Sequence, residues 1–472
     1  MKKIAGSLLA MSAVLLSMTV VSCGGGGSKA KAEKALATMV EENPEYEAVS
    51  IETDESGKVY NFKKMDVIVG DWWTNPDAAP NSKQQEDLAT WRQFTNDVYN
   101  VNVVQKAVSG WGSNPQFVTN FCITGGEENY VFIIDGRSAV TGVKANLFYD
   151  LSKIKSVDYH NAAKYDQGAV MKLAKGDSFY AFNWGKPEPK NGMFFNKRIL
   201  EENGYDPDLP YDLQKSGKWT WAVFEEMCKK MTRDTDNDGV IDQYAMSSFN
   251  TEFTYSALDS NGGGIVKRDS SGKYYLDAGS ENSMEAWNWI QKMWQNYQLP
   301  QAEGANWDYF YTAFINGETA FLADQEYNAQ PGGRFAQMAD DWGFVCFPLG
   351  PHGDGVYKTI HDTNMCVIPS CYDDKRAEKI AKAVDLWLED VPGYDEPDSW
   401  KEGYYAGFRD SRAVDETLEL MAKTANPRFD TLISGLSQGD MIWGITGGYM
   451  TPAEAWEGAK NQWQALVDEC NR

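Results

Sequence analysis

The chain has almost no histidine, three residues in 472 (His160, His352 and His361), and no two cysteines at C-x-x-C spacing. A zinc site of closely spaced Cys and His ligands is thereby excluded. Positive charge is scarce too: 44 Lys and Arg stand against 68 Asp and Glu, giving a formal charge of -24 and a pI near 4.6. Nucleic acid is excluded as a partner because it demands a basic footprint, and a polyanionic substrate is disfavoured for the same reason. Beyond the N-terminal stretch no apolar run is long enough to span a bilayer. Gly435-Leu-Ser437-Gln-Gly439 matches the G-x-S-x-G pattern of hydrolases, but that fold needs its histidine downstream of the serine, and all three histidines lie upstream.

What is present is a globular composition, 42% hydrophobic and 24% charged, with length enough for two cores. Aromatic content is 13%, with 17 Trp and 24 Tyr, which points to rings used on a surface as well as in a core. The first residues, Lys2 and Lys3 followed by a mostly apolar run to Val21 and then Ser22-Cys23, resemble a bacterial lipoprotein signal with its lipobox. That resemblance implies a signal peptide over 1–22, lipidation at Cys23 and attachment to a bacterial membrane through the lipid alone. Residues 23–62 read as a glycine-rich tether and a polar, weakly patterned segment. Outside the cytoplasm a disulfide such as one between Cys346 and Cys366 or Cys371 is allowed, and free buried thiols are the alternative.

Short apolar strands then alternate with helices. Asp66–Gly70, Val101–Val108 and Tyr130–Asp135 read as buried strands, with helices over 82–99 and 115–122 between them. This predicts an α/β fold with a mainly parallel sheet, whose ligand-facing groups lie beyond the strands' C-terminal ends. Trp72, Trp73, Trp111, Asp135 and Arg137 all fall there. The stretch Asp177–Leu200 reads as strand, break, strand and helix start, the break being set by Gly185, Pro187 and Pro189. Further on, Thr220 is an N-cap candidate and Gln243–Ser248 a strand; Thr451-Pro-Ala-Glu454 opens a terminal helix.

The sharpest local motif is Asp234-Thr-Asp236-Asn-Asp238-Gly239-Val240-Ile-Asp242. Carboxylates at alternate positions around a glycine turn can converge on calcium, with the Val240 carbonyl and Asp242 completing the set. Ala245 stands where an EF-hand has its bidentate glutamate, so the expected ion is weakly held and structural.

Several spaced segments carry one pattern: Gly192–Leu200 (GMFFNKRIL), Trp219-Thr-Trp, the 234–242 loop, Asn316–Phe321 (NGETAF), Asp341–Pro348 (DWGFVCFP) and the terminal TPAEAW. In order and spacing they resemble the bacterial extracellular solute-binding proteins of family 1, the maltose-binding-protein type. The resemblance implies a two-lobed periplasmic-binding-protein-like fold of type II, with lobes joined by hinge crossings around a ligand cleft. It divides the chain into an N-terminal lobe of 63–184 plus 318–368, a C-terminal lobe of 190–316 plus 370–472, and crossings at 184–190, 316–320 and 362–370. It also implies a non-catalytic monomer that takes a mono- or oligosaccharide and delivers it to an ABC-importer permease. The implied ligand residues add Trp184, Glu188, Glu252, Tyr255, Asp324, Glu326, Tyr327, Asp362 and Trp443 to the five above. A surface glycoside hydrolase using paired carboxylates and a polysaccharide-binding adhesin without transport are the competing expectations.

Overall fold

A computed structural model describes residues 29–185, 190–362, 364–394 and 398–471, and the chain divides into one unit up to Asn61 and another from Phe62 onward. Lipidation at Cys23 and the candidate Glu188 lie outside the described residues. In the first unit Lys29–Glu42 is helical, correcting the expectation of an unpatterned segment. Its Ala, Lys and Glu residues are strong helix formers, and intrinsic propensity prevails where no apolar stripe exists to read. Among the described residues no helix is long and apolar enough to cross a membrane.

The second unit is built on strands β1 (Met65–Asp71), β2 (Val101–Ala107), β3 (Tyr130–Ile134), β4 (Asn191–Asn196), β5 (Phe321–Gln325), β6 (Trp342–Val345), β7 (Thr359–His361), β8 (Met365–Val367) and β9 (Ala425–Pro427). The first sheet has the order β8-β3-β1-β2, with β1 parallel to β2 and β3 and β8 antiparallel to β3. The apolar residues Val67, Val69, Val131 and Phe132 are fully buried, as strands covered on both faces require. Helix Lys83–Tyr99 begins at an Ser82 cap, whose side chain accepts from the Gln85 amide, and ends at Asn100 in the left-handed region.

The second sheet has the order β6-β4-β5 and is antiparallel throughout, Phe194 pairing with Leu322 and Phe344. Around it lies an aromatic core in which Trp219, Trp287, Trp342 and Trp463 are fully buried. Much of the tryptophan thus belongs to packing, and the surface retains a smaller set. The segment Gln243–Ser248, expected as a strand, makes only isolated bridges, Gln243 with Arg233 and Met246 with Gln298 and Phe321. It therefore links elements without forming a ladder.

These pairings correct the division of the chain. β5 and β6 lie on β4, so 318–361 belongs with the C-terminal lobe, and the turn at Gly317 is internal to it. Helix Asp374–Trp387 packs on the N-terminal lobe instead: Tyr149 Oη donates to Asp374 at 2.8 Å, Trp91 Nε1 donates to the Glu389 carbonyl at 3.0 Å, and the Arg92 guanidinium lies 3.6 Å over the Trp387 ring. Trp184 therefore lies in the N-terminal lobe and Asn191 in the C-terminal one, and the chain crosses again between β7 and β8 and after that helix. The middle crossing is stiffened by parallel pairing of β7 with β9, Thr359 opposite Ala425. Cys346 lies in the C-terminal core and Cys366 on β8 of the other lobe, and all six described cysteines are free.

Candidate functional site

Both sheets end at the crossings. Asn191, the first residue of β4, pairs with Gln325, the last of β5, and Met365 of β8 pairs with Ile134 at the end of β3. The groups beyond these ends are the candidates for the two walls of a ligand cleft.

On the N-terminal wall, Trp73 is 51% exposed and meets the half-buried Trp72 edge-on, at 4.9 Å between ring centroids. Their loop is held by Asp71, buried at the end of β1, whose Oδ1 accepts from the amides of Trp73 (3.0 Å) and Thr74 (2.9 Å). Trp111 is 58% exposed, and the Arg137 guanidinium stacks 3.8 Å from its ring centre. Asp135 caps helix Gly136–Lys144 through the Arg137 amide and pairs with the Arg137 side chain at 2.6 Å. One local motif thus fixes a plate, a cation and an anion in register.

The C-terminal wall is built differently. Glu252, in helix Asn250–Ser260, is 8% exposed and accepts from Asn191 Nδ2 at 2.5 Å and Gln325 Nε2 at 3.1 Å. Asp324 is 2% exposed; the Gln325 amide donates to its Oδ1 at 2.6 Å and Tyr311 Oη to its Oδ2. Burial, and after it the charge of Glu252, pushes the Asp324 carboxyl up to about 7. Tyr255 Oη donates to Asp430 at 2.7 Å beneath the Arg428 guanidinium, which lies 3.5 Å over the Tyr255 ring and pairs with Asp430 at 3.0 Å. Glu326 is buried 3.8 Å from Lys190 Nζ, while Tyr327 is partly exposed. Trp443 is 57% exposed on helix Gln438–Thr446, which reaches the 250–260 helix through Asn250 and Thr446.

Between the walls, Asp362 accepts from Lys172 at 3.0 Å and from Thr431 at 3.2 Å, joining both lobes at the middle crossing. Burial works against its ionisation, but Lys172 and Arg428 outweigh it and hold the carboxyl below the usual range. Gly136 permits this closeness, since a Cβ there would lie 2.5 Å from Thr431. Trp184 bridges to Tyr165 within the N-terminal lobe.

Sequence reasoning missed Asn191, Gln325, Arg334, Arg428 and Asp430, together with Trp307, exposed beside Phe249 at the start of the 250–260 helix. Asn191 and Gln325 were findable as polar residues bounding two apolar strands. Arg428 and Asp430 carried no local signal.

Residues 124–384 match the family model of bacterial extracellular solute-binding proteins, more than half of the chain. The chain belongs to that family. No curated protein sequence matches it. Among solved structures, an ABC substrate-binding protein from Listeria monocytogenes in complex with cycloalternan aligns at TM-score 0.59 and 14% identity, over 86% of this chain and 99% of that one. Maltose-bound MalE3 of T. maritima aligns at TM-score 0.56 and 18% identity, over 85% and 99%. UgpB from Mycobacterium tuberculosis in complex with glycerophosphocholine aligns at 0.58 and 14%, over 86% and 99%. At these identities the likeness concerns the fold, the two-lobed architecture of periplasmic binding proteins. The family is one of binding proteins, with a periplasmic or surface location.

In this solute-binding protein the 234–242 loop lies apart on the C-terminal lobe, pinned by the bridge of Arg233 with Gln243. Asp234, Asp236 and Asp242 each bring a carboxylate oxygen within 4.8 Å of the others. Asp238 is not in that group; its Oδ1 accepts from the Val240 amide at 2.8 Å. The Gly239 amide foremost holds the Asp234 carboxyl below its ordinary range. The twelfth position, Ala245, is fully buried in the core, where a carboxylate ligand would have no place.

Proposed function

We propose that this protein is a lipid-anchored sugar receptor of an ABC importer, which captures a mono- or oligosaccharide by hinge closure and hands it to the permease. The observation that carries the reading is the set of exposed aromatic plates and polar groups at the ends of the strands: Trp73, Trp111 and Tyr327, with the exposed Arg137, the half-buried Gln325 and the buried Glu252. A sugar ring has apolar C–H faces and a rim of hydroxyls, and is held best by such plates flanked by donors and acceptors. One ring covering about 60 Å² of a Trp contributes roughly 1.5 kcal/mol, so several plates are needed for micromolar binding at about 8 kcal/mol. Three crossings supply the hinge, and closing it brings the two walls onto one ligand.

A thermal-shift screen across neutral mono- and oligosaccharides tests the reading. Stabilisation by at least one of them is expected; stabilisation only by peptides or polyamines would remove the sugar assignment. Release of shorter products from an oligosaccharide by purified protein would replace the receptor with a glycosidase. Binding to polymer without lobe closure in solution scattering would replace it with an adhesin.

The 234–242 loop is proposed to hold structural calcium through Asp234, Asp236 and Asp242, the ion tying the end of helix Trp221–Met231 to the following segment. Chelator is expected to lower the melting temperature, and Asp236→Ala to abolish the chelator effect. An unchanged melting temperature in both experiments would reduce the loop to a turn.

A further inference from the structure

Helix Gln438–Thr446 and the turn that follows it carry three large apolar side chains in the open, Trp443, Tyr449 and Met450, the tyrosine being 84% exposed. Single exposed rings are ordinary, but three together mark a surface that has an occupant. Tyr449 is exposed and yet held in place. Gly448 turns the chain in the left-handed region at φ 72°, and the amides of Tyr449 and Met450 both donate to the Gly444 carbonyl, at 2.9 and 3.1 Å. The Tyr449 ring folds back over Gly447, where an added Cβ would lie 2.4 Å from Tyr449 Cε2 and 2.8 Å from the Trp443 carbonyl. Glycine at 447 is what lets the ring lie against the helix end, so the plate is set before any ligand arrives.

This ledge continues from the candidate C-terminal wall. Thr446, on the same helix as Trp443, accepts from Asn250 Nδ2 at 3.3 Å, and Asn250 shares its helix with Glu252. Just before Asn250, Phe249 meets the exposed Trp307 at 6.2 Å between ring centroids. Two amides border the turn: Gln291 Nε2 donates to the Met450 carbonyl at 2.8 Å, and Gln295 Nε2 lies 3.7 Å from a Cβ added at Gly448. Aromatic faces edged by uncharged donors and acceptors suit a neutral sugar ring. Resting on the sugar-receptor reading, we infer that the ledge is an outer subsite of the cleft and that the ligand is a neutral oligosaccharide long enough to occupy both. Its inner rings lie between the walls, and the rings that follow leave across Trp443 onto Tyr449 and Met450. The helix under the ledge is rooted in the C-terminal core through Met441, Ile442 and Ile445. The ledge therefore belongs to one lobe, and it holds a chain whether the lobes are open or shut.

An array of neutral glycans graded in length from single rings to long oligomers, probed with the full chain, tests this. The wild type should hold long oligomers more tightly than single rings, by roughly tenfold for each plate reached. Tyr449→Ala should weaken retention of the long oligomers roughly tenfold and shrink the ratio of long to short. Gly447→Ala, whose Cβ would strike the Tyr449 ring, should shrink that ratio with the ring still present. Melting curves of both variants check that the lobe remains folded, as the exposure of Tyr449 leads one to expect. Retention independent of length in the wild type, or a ratio unchanged in both variants, would overturn the outer subsite, give the ledge to a protein partner and leave the sugar reading standing. Retention of no glycan at any length would overturn the sugar reading and the subsite with it.

Discussion

The two walls of the cleft present similar chemistry by opposite means. On the N-terminal wall Trp111, Arg137 and Asp135 are held by a helix cap and a stack formed within a few residues of β2 and β3, and Trp111 and Arg137 face solvent. On the C-terminal wall Glu252, Asp324, Tyr255 and Asp430 are buried, and Glu252 and Tyr255 are held by Asn191, Gln325, Asp430 and Arg428 from distant parts of the chain. The difference teaches that one wall can be altered with little cost to folding, whereas the other is part of the core of its lobe. Substitutions on the C-terminal wall should change stability, and those on the N-terminal wall chiefly affinity.

The largest effect is expected at Arg428. Arg428→Met leaves Asp430 and Asp362 without their shared cation in a buried site, and urea unfolding should show a loss of about 3–5 kcal/mol. A loss under about 1 kcal/mol would break the comparison by showing that the buried network is not structural.

Asp324→Asn should act next, and through pH. Because burial and Glu252 raise the folded-state carboxyl from 3.8 to about 7, the folded protein keeps its proton while the unfolded chain has lost it. Wild-type stability therefore declines as pH climbs from about 4 to about 7 and then levels, at up to about 1.4 kcal/mol per pH unit for one linked proton. Asp259, raised to about 6 by burial, contributes with the same sign and remains in the variant. Asp324→Asn should thus flatten the decline most between about 6 and 7, in denaturation midpoints measured across pH. An unchanged profile would place the raised carboxyl elsewhere.

Trp111→Ala sharpens the other side of the comparison. It should weaken sugar binding by about 1.5 kcal/mol, roughly tenfold, with unfolding nearly unchanged. Calorimetric titration beside a melting curve separates the two quantities, and a large drop in melting temperature would contradict the division between the walls.

The smallest effect is expected at the first crossing. Gly185 has φ of 77° and nothing within 4 Å of an added Cβ, so Gly185→Ala meets only backbone strain of about 1 kcal/mol. Slower lobe closure with unchanged lobe stability is the expected result in stopped-flow fluorescence. Gly317, assigned by resemblance to a crossing, is the contrast. Its added Cβ would lie 2.2 Å from Asp340 within the C-terminal lobe, so substitution there should lower stability and leave closure alone.

The ends and caps of individual elements were legible in the residues themselves. Ser82, Thr220 and Thr451 cap the helices they were expected to begin, and β1, β2 and β3 fall within a residue of their apolar runs. The placement of Trp73, Trp111, Asp135 and Arg137 just beyond strand ends was readable because the order of elements along the chain fixes where parallel strands end. The division of lobes was misread because an apolar run such as Phe321–Gln325 announces a strand without naming its partner. β5 lies on β4 because the two strands interleave Phe194, Phe195, Phe321 and Leu322 in one core, a pairing across more than a hundred residues.

By itself, then, the sequence determined an acidic, histidine-poor chain of alternating strands and helices, with plates and charges at strand ends and a carboxylate-rich loop, since each is a matter of composition or short-range periodicity. Tertiary structure alone decided that 318–361 joins the C-terminal lobe and 374–387 the N-terminal one. It also decided that Glu252 accepts from Asn191 and Gln325 and that Arg428 closes over Tyr255. Those outcomes depend on which buried surfaces fit together, and burial raises a carboxyl such as that of Asp324.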